Sequence, residues 1–484
     1  MFRLGFAHVH FRRSRTSGRP KGLTNAAISV IYPVYRESPE VLETVMERAC
    51  RCLALPNVEF VFVDDGSPNR DELEPIYRRF RANPRIQVLY QENRGKREAQ
   101  YTGLAVATGE YVVTVDSDTL IDPEGLACLT APFQRDARIG AVCGEVLVEN
   151  ASHNLLTKMQ AVRYWTSFNV ERAAQSLFRS VLCCCGPFSA YRATILHGVK
   201  DAYVNQSFCG RRCTYGDDRH LTNLVLAEGS EVVYQPGAVA WTFVPTTLGE
   251  YIRQQTRWNK SFYREILWTL KIADRVHPYS LLDMLLQPLL FLAFTLSLSH
   301  ALYLVWMAAA PEWILYYLAI LVTMAFARGA YGLFRTRDPR FLLLVAYGFL
   351  HVFVLIPVRF KSLLTLTDNR WGTRTAGQLR TPVDFSFWAA CYAALLLANV
   401  ALLTLFEPSS VVELDRSQTL SKVVLEAWRA HIAGAGAIVL TTPALVVLLR
   451  YLSKRRRPVP KVVHSSRRNS HSTTAVRNGK IPGD

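Results

Sequence analysis

After Lys271 the chain carries five apolar runs, at 281–308, 313–334, 341–366, 385–406 and 432–452. Each can reach the roughly 20 residues that span a bilayer's hydrocarbon. No other feature restricts the fold as much, because backbone N–H and C=O groups in lipid must be satisfied internally, and for runs of this length that means helices. A chain of 484 residues is long enough for a soluble part and a membrane part, and it divides at that point. Five spans would leave the Lys-Arg-Arg-Arg run at 454–457 across the membrane from the preceding domain, against the positive-inside tendency; four would not. The weakest run is 341–366, which contains His351, Pro357, Arg359 and Lys361. It reads as an interfacial or re-entrant helix.

The net charge of +17 suggests nucleic acid until it is mapped. Residues 1–26 hold six Arg or Lys and no acid, and residues 453–484 hold nine against Asp484, so the body of the chain is close to neutral. Basic flanks beside apolar segments fit a cytoplasmic membrane surface, and no zinc finger, RNA-binding signature or basic recognition helix accompanies the charge. Residues 1–26 lack the apolar centre of a signal peptide and are expected to be a basic disordered arm. Residues 453–484 are expected to be a basic disordered tail. The ten cysteines include an adjacent triplet, Cys183 to Cys185, and no CxxC pair, which fits reduced thiols better than a disulfide framework.

From residue 27 short apolar runs alternate with amphipathic stretches. AISVIYPVY, EFVFVDD, RIQVLYQ and GEYVVTVDSD read as strands, separated by the helical PEVLETVMERACRCLA, RDELEPIYRRFRA and KREAQYTGLAVAT. Continuous apolar strands with helices between them predict a mostly parallel sheet with helices on both faces. Ligands bind such sheets beyond the carboxyl ends of the strands. Those ends carry Tyr35-Arg36-Glu37, Asp64-Asp65-Gly66-Ser67 and Asp116-Ser117-Asp118.

The DxD at 116–118, ending an apolar strand, has the carboxylate oxygens that Mg²⁺ or Mn²⁺ needs when it bridges a diphosphate. Asp64 can accept hydrogen bonds from a base or ribose, or cap the following helix. Lys96 opens a helix, where a cation can meet phosphate. Neither GxGxxG nor GxxxxGK[ST] occurs, which argues against a dinucleotide or ATP-hydrolysing site. Further on, Asp217-Asp218 follow Gly216, and QQTRW (254–258) lies on a predicted helix that alternates basic with aromatic and aliphatic residues.

The order of the YRE-like tripeptide, VDDGS, GKREA, DSD, GDDRHLTN and QQTRW resembles family 2 glycosyltransferases, inverting enzymes that use nucleotide sugars. A finer resemblance is to the hyaluronan synthases, carried by FNVERAAQSL (168–177), CCGPFSAYR (184–192), NQSF (205–208), GDDRHLTN (216–223), QQTRWNKSFYRE (254–265) and RWGTR (370–374). It covers about residues 27 to 375. Chitin and rhizobial chitooligosaccharide synthases share the core, but around Asp218 they usually read ED. The resemblance implies a GT-A-type nucleotide-sugar-binding domain over 27–252 and interfacial helices carrying QQTRW over 253–278. A helical transmembrane region over 279–452 would follow, with spans near 281–308, 313–334, 385–406 and 432–452. It further implies that Tyr35 stacks on uracil, with Glu37, Asp64 and Lys96 near the nucleotide, and that Asp116 and Asp118 hold the donor and its Mg²⁺ or Mn²⁺. Asp218, beside Asp217, would be the general base. Trp258 would be the acceptor platform, with Gln254, Gln255 and Cys184 near the acceptor, Arg257 anchoring phosphate or a loop, and Trp371 and Arg374 closing over the diphosphate.

Without the resemblance, Asp218 could be half of a salt bridge to Arg219 or Arg257, and Trp258 an interfacial tryptophan. The implied activity is polymerisation of GlcNAc and GlcA from UDP-GlcNAc and UDP-GlcA, with export of the growing glycan by a multi-pass protein whose catalytic domain faces the cytoplasm. A single-donor chitin-like synthase is the alternative. Synthases of this class carry membrane helices before the catalytic domain, so further helices are expected from an oligomer, a partner or an upstream start.

Overall fold

The computed structural model describes residues 2–16, 26–307 and 312–369, with four further positions at 390, 393, 394 and 397. The chain begins with α1 (Phe2–Thr16), β1 (Ile28–Val34), α2 (Pro39–Cys52), β2 (Val58–Asp65), α3 (Arg70–Phe80), β3 (Ile86–Gln91), α4 (Lys96–Val106) and β4 (Tyr111–Val115). It continues through β5 (Thr119–Ile121), α5 (Pro123–Arg135), β6 (Ile139–Val148), α6 (Leu155–Thr166), a π-helical turn (Ser167–Arg172), α7 (Ala173–Leu177), β7 (Phe188–Arg192) and α8 (Ala193–Val204). The short β8 (Ser207–Phe208) and β9 (Arg211–Arg212) pair with each other, and α9 (Asp217–Ala227), β10 (Glu231–Thr242) and α10 (Leu248–Lys271) complete the GT-A-type domain.

Its eight-stranded sheet has the order β3-β2-β1-β4-β7-β6-β10-β5. The pairs β1–β2, β2–β3, β1–β4 and β6–β10 are parallel, whereas β7 runs antiparallel to both neighbours and β5 antiparallel to β10. All seven residues of β1 are buried, as expected of an apolar strand covered on both faces. The strands and helices expected from sequence over residues 27–118 begin and end within about three residues of the observed ones. Local chemistry explains the helix starts: Ser38 accepts from the Val41 N–H with Pro39 following, and Asp122 accepts from the Gly125 N–H with Pro123 following. Because β2 and β4 lie on opposite sides of β1, the strand order reverses there, and the loops after β1 and β4 diverge to leave a crevice.

Beyond α10 come α11 (Pro278–Met307) and α12 (Glu312–Thr336). They are followed by a 3₁₀ turn (Pro339–Leu342), α13 (Leu343–Leu350), a π-helical turn (His351–Leu355) and α14 (Ile356–Leu364). Pro278–Leu302, Glu312–Thr336 and Pro339–Leu364 are each long and apolar enough to cross a membrane. The third of these touches the soluble domain at both ends. Phe341 packs edge-on against Trp165 of α6, and beyond α14 the Leu366 carbonyl accepts from Arg264 of α10.

One expectation fails at the beginning of the chain. Phe2–Thr16 is a docked helix where a disordered arm was expected: Ala7 and Phe11, one turn apart, are buried, and Phe6 meets Phe178 and Tyr279 edge-on, each at 5.0 Å. Arg3 is ion-paired with Asp283 at the start of α11. Tertiary partners, invisible to local composition, supply the ordering free energy. The runs 385–406 and 432–452, the basic tail, Trp371 and Arg374 lie outside the described residues, apart from the four isolated positions.

Candidate active site

The carboxyl ends of β1, β2 and β4 and the first turn of α9 open on one cavity of about 2170 Å³. Asp116 and Asp118 follow β4, and Asp217 and Asp218 open α9. Gly216, at φ +84°, makes that turn possible, and a Cβ there would stand 2.4 Å from Ser261 Oγ on α10. The Asp217-Asp218 turn is thereby pressed against the helix that carries QQTRW.

Lys96, at the first position of α4, joins the two halves. Its Nζ lies 2.7 Å from Asp116 Oδ1 and 2.7 Å from Asp217 Oδ2. Burial works to lower the Lys96 pKa, but the two carboxylates overturn it and raise it well above the ordinary value. Burial likewise works to raise Asp217, and Lys96 wins, holding it ionised. Asp116 goes the other way: burial, reinforced by Asp118, outweighs Lys96 and raises it. Opposite them sits Gly186, where a Cβ would come within 3.1 Å of Lys96 Nζ and 3.5 Å of both Asp116 oxygens. A side chain at 186 would narrow the space beside Lys96 and Asp116.

Asp118 is 5% exposed, and its Oδ1 accepts from the Thr242 hydroxyl at 3.2 Å. Among the described residues no cluster of three or more His, Cys, Asp or Glu could hold a metal. A DxD pair facing an open pocket is nevertheless a fitting donor set for Mg²⁺ or Mn²⁺, which bind through one or two carboxylates and take remaining ligands from phosphate and water. Tyr35 is 38% exposed on the cavity wall, and Glu37, also on that wall, accepts from Ser117 Oγ at 2.7 Å.

Asp218 lines the cavity, and no ion pair to it forms among the described residues; Arg219 instead lies over the Phe262 ring at 5.1 Å. Oδ1 of Asp218 accepts from the Arg219 N–H at 2.8 Å. Gln254, Gln255, Arg257 and Trp258 all line the same space, Trp258 with 46% of its surface free and its ring 6.2 Å from that of Tyr164.

Two expectations are corrected. Asp64 does not face the cavity: it is fully buried, holding Arg70 at 2.9 Å and accepting from the Tyr77 hydroxyl. Its neighbour Asp65 lines the cavity, and accepts from the Arg94 and Gly95 N–H groups. Successive strand residues point to opposite faces, so an Asp-Asp pair can present only one to the ligand. Cys184, in the loop before β7, is fully buried and off the cavity, while its neighbours Cys183 and Cys185 line it.

Sequence reasoning missed a second charged cluster at the membrane end of the cavity. Glu171, on the first π-turn, pairs with Arg163 at 3.2 Å, Arg328 of α12 at 3.4 Å and Arg3 of α1 at 3.9 Å. Burial works to raise Glu171, and the three guanidinium groups overturn it, holding it down at about 2. A lone glutamate in an amphipathic stretch gives no local signal of this. The cavity itself continues past Trp258 to Phe291 on α11, Met324 on α12, Tyr347 on α13 and Arg359 on α14.

The family described as Glycosyl transferase family 2 matches residues 29–199. An N-acetylglucosaminyltransferase of Mesorhizobium japonicum is 34% identical over 363 residues, covering 75% of this chain and 85% of the relative. Similar proteins of the same name come from Sinorhizobium fredii, 35% identical over 72% of this chain and 84% of the relative, and Rhizobium meliloti, 33% identical over 74% and 86%. Among solved structures, a mannosyltransferase from Pyrobaculum calidifontis in complex with GDP-Man and Mn²⁺ covers 84% of this chain and 90% of its own, at 19% identity and a TM-score of 0.39.

Proposed function

The chain belongs to glycosyl transferase family 2, and from that premise we propose that it polymerises hyaluronan, adding GlcNAc and GlcA from UDP donors with inversion and passing the product through a membrane. The observation that carries this is the continuity of the cavity, which runs from Tyr35 and Lys96 past Asp218 and Trp258 to the faces of α11 to α14. A transferase that released each product to the cytosol would have no use for an active site open toward its membrane helices.

In this reading the donor lies over the strand ends, with uracil against Tyr35, polar contacts from Glu37 and Asp65, and the diphosphate in the space kept open by Gly186. Asp116 and Asp118 are the residues that would hold Mg²⁺ or Mn²⁺, and the metal, when bound, neutralises charge on the departing diphosphate. Lys96 and Arg257 bring cations to the same oxygens. Trp258 carries the acceptor sugar by its face. Asp218 takes the proton from the acceptor hydroxyl as that oxygen attacks C1 and the bond from C1 to the UDP oxygen breaks. No covalent intermediate on the protein is needed. Trp371 and Arg374 would close over the diphosphate. In this reading the protein sits in the plasma membrane with the catalytic domain cytoplasmic.

The names of the rhizobial relatives favour a second reading, a single-donor enzyme that joins GlcNAc units alone. GDDR in place of ED and the WGTR block favour the first. Membranes containing the protein, given Mg²⁺ or Mn²⁺ with UDP-GlcNAc, UDP-GlcA or both, separate the two. Hyaluronidase-sensitive polymer that needs both donors is the expected result; oligomers from UDP-GlcNAc alone, indifferent to UDP-GlcA, would move the protein to the second class. In either class Asp218→Asn is expected to bind UDP and make no polymer, and normal polymerisation by that variant would remove Asp218 from the mechanism.

A further inference from the structure

The loop that leads into β7 is stitched to the helix that carries Asp218. The Cys184 N–H donates to Thr222 Oγ1 at 2.8 Å, and that hydroxyl donates to the Asp218 carbonyl at 2.7 Å. On the other side, the Leu182 N–H donates to Gln175 Oε1 at 3.1 Å, and the Cys183 carbonyl accepts from Arg172 Nε at 3.1 Å. Residue 183 is thus held over Asp218 by bonds that do not involve its own side chain. Its Sγ lies 3.4 Å from Asp218 Oδ2, inside the cavity wall.

We propose that Cys183 is a positioning residue for the general base: its S–H donates to Oδ2 of Asp218, opposite the Arg219 N–H on Oδ1, and the two fix the carboxylate plane with one lone pair of each oxygen left for the acceptor hydroxyl. This rests on the reading of Asp218 as the base. Chemistry favours a thiol in this place. A base must be oriented without losing basicity, and a thiol is a weaker donor than a hydroxyl. It must also keep its proton, and burial, helped by the Asp218 charge, pushes the Cys183 thiol up to about 12, so it remains a donor through the neutral range. The other ionisable groups around this corner are Asp217 and Arg219 on α9, Lys96 on α4, Asp116 after β4, Arg172 on the π-turn and Arg257 on α10. All stay in place in the test.

The test compares Cys183→Ala, Cys183→Val and Cys183→Ser in the full-length protein in membranes, reading kcat and donor KM for UDP release from UDP-GlcNAc with UDP-GlcA. Without the donor the carboxylate is less well aimed at the acceptor hydroxyl, so in Ala and Val kcat falls about 3–10-fold, the size of one modest hydrogen bond, with donor KM unchanged. Ser, a donor on a shorter arm, brings kcat back toward wild type. Val refills the volume without a donor, so wild-type kcat in Val means that Cys183 only packs and overturns the proposal. So does an unchanged kcat in Ala, or a Ser variant no better than Ala. Asp218→Asn is measured alongside. If it polymerises normally, the base assignment itself falls; if it is inactive while Cys183→Ala keeps wild-type kcat, only the role of Cys183 falls.

Discussion

Two charged clusters lie in one cavity, and they are built on opposite terms. At the strand ends, Lys96 stands between Asp116 and Asp217, with Asp118 and Asp218 close by, so carboxylates outnumber the cation among them. At the membrane end, Glu171 is shared by Arg163, Arg328 and Arg3, and cations outnumber the acid, with Asp283 on Arg3 a partial balance. Asp116 at the strand ends is raised and Glu171 at the membrane end is depressed, although burial acts on both in the same direction. The difference lies in supply of counter-charge. In the first cluster one described cation, Lys96, is shared by two carboxylates beside open space, an arrangement that suits the proposed metal-bound diphosphate; the second surrounds its acid with three guanidinium groups and ties α1, α6, the π-turn and α12 together.

The largest expected effect breaks the second cluster. Glu171→Gln leaves three guanidinium groups facing one another, and loss of one partner from a buried ionic cluster costs about 3–5 kcal/mol. A marked fall in Tm is expected, with the KM for UDP-GlcNAc in the surviving protein unchanged. Sign matters for the pH dependence. Glu171 goes from an ordinary value of 4.5 to about 2 on folding. Its contribution, roughly 3 kcal/mol, is complete above its unfolded pKa and is lost as pH falls from there toward 2. Wild-type Tm should therefore drop over that interval, and the Glu171→Gln variant should start lower and drop less. A parallel acid limb in both proteins would mean that other carboxylates set it.

The next effect falls on the first cluster and reads out in chemistry. Lys96→Met removes a cation that the proposed mechanism brings to the leaving diphosphate, for which a loss of about 10²–10³ in kcat is expected. Its stability cost should be smaller than that of Glu171→Gln, because Asp116, already raised, can take up a proton when Lys96 is gone. Measuring kcat and Tm on both variants sharpens the comparison. If Lys96→Met lowers Tm and spares kcat, the two clusters are the same kind of structural joint.

The same contrast explains what could be read from sequence. Strands β1 to β4 and the helices between them follow from apolar period and capping residues, and Asp116, Asp118, Asp217 and Lys96 were legible because each sits at the end of an element whose neighbours in sequence announce it. Choosing between Asp64 and Asp65, or between Cys183 and Cys184, needs the phase of a strand or loop relative to the sheet, which a two-residue motif does not carry. The α1 helix and the Glu171 cluster were missed for a different reason. Arg3 and Glu171, or Arg163 and Arg328, are joined only by tertiary packing, so nothing local marks them.

The smallest effect concerns Trp258, which lies between the clusters. About half of its surface is free in the cavity, and among the described residues its ring lies 6.2 Å from the tilted Tyr164 ring. An interfacial tryptophan and an acceptor platform both fit such a position, but they part company on truncation. As a platform, Trp258 contributes a stacking contact of about 1 kcal/mol to the sugar and little to the fold. Trp258→Ala should then leave UDP binding and Tm near wild type, raise the KM for a short acceptor oligosaccharide about fivefold, and shorten the polymer because each translocated chain dissociates sooner. As an interfacial anchor it would lower Tm and membrane retention and leave product length alone. Polymer length at equal UDP release therefore decides the role of the residue that stands where the ligand-seeking cluster gives way to the self-satisfied one.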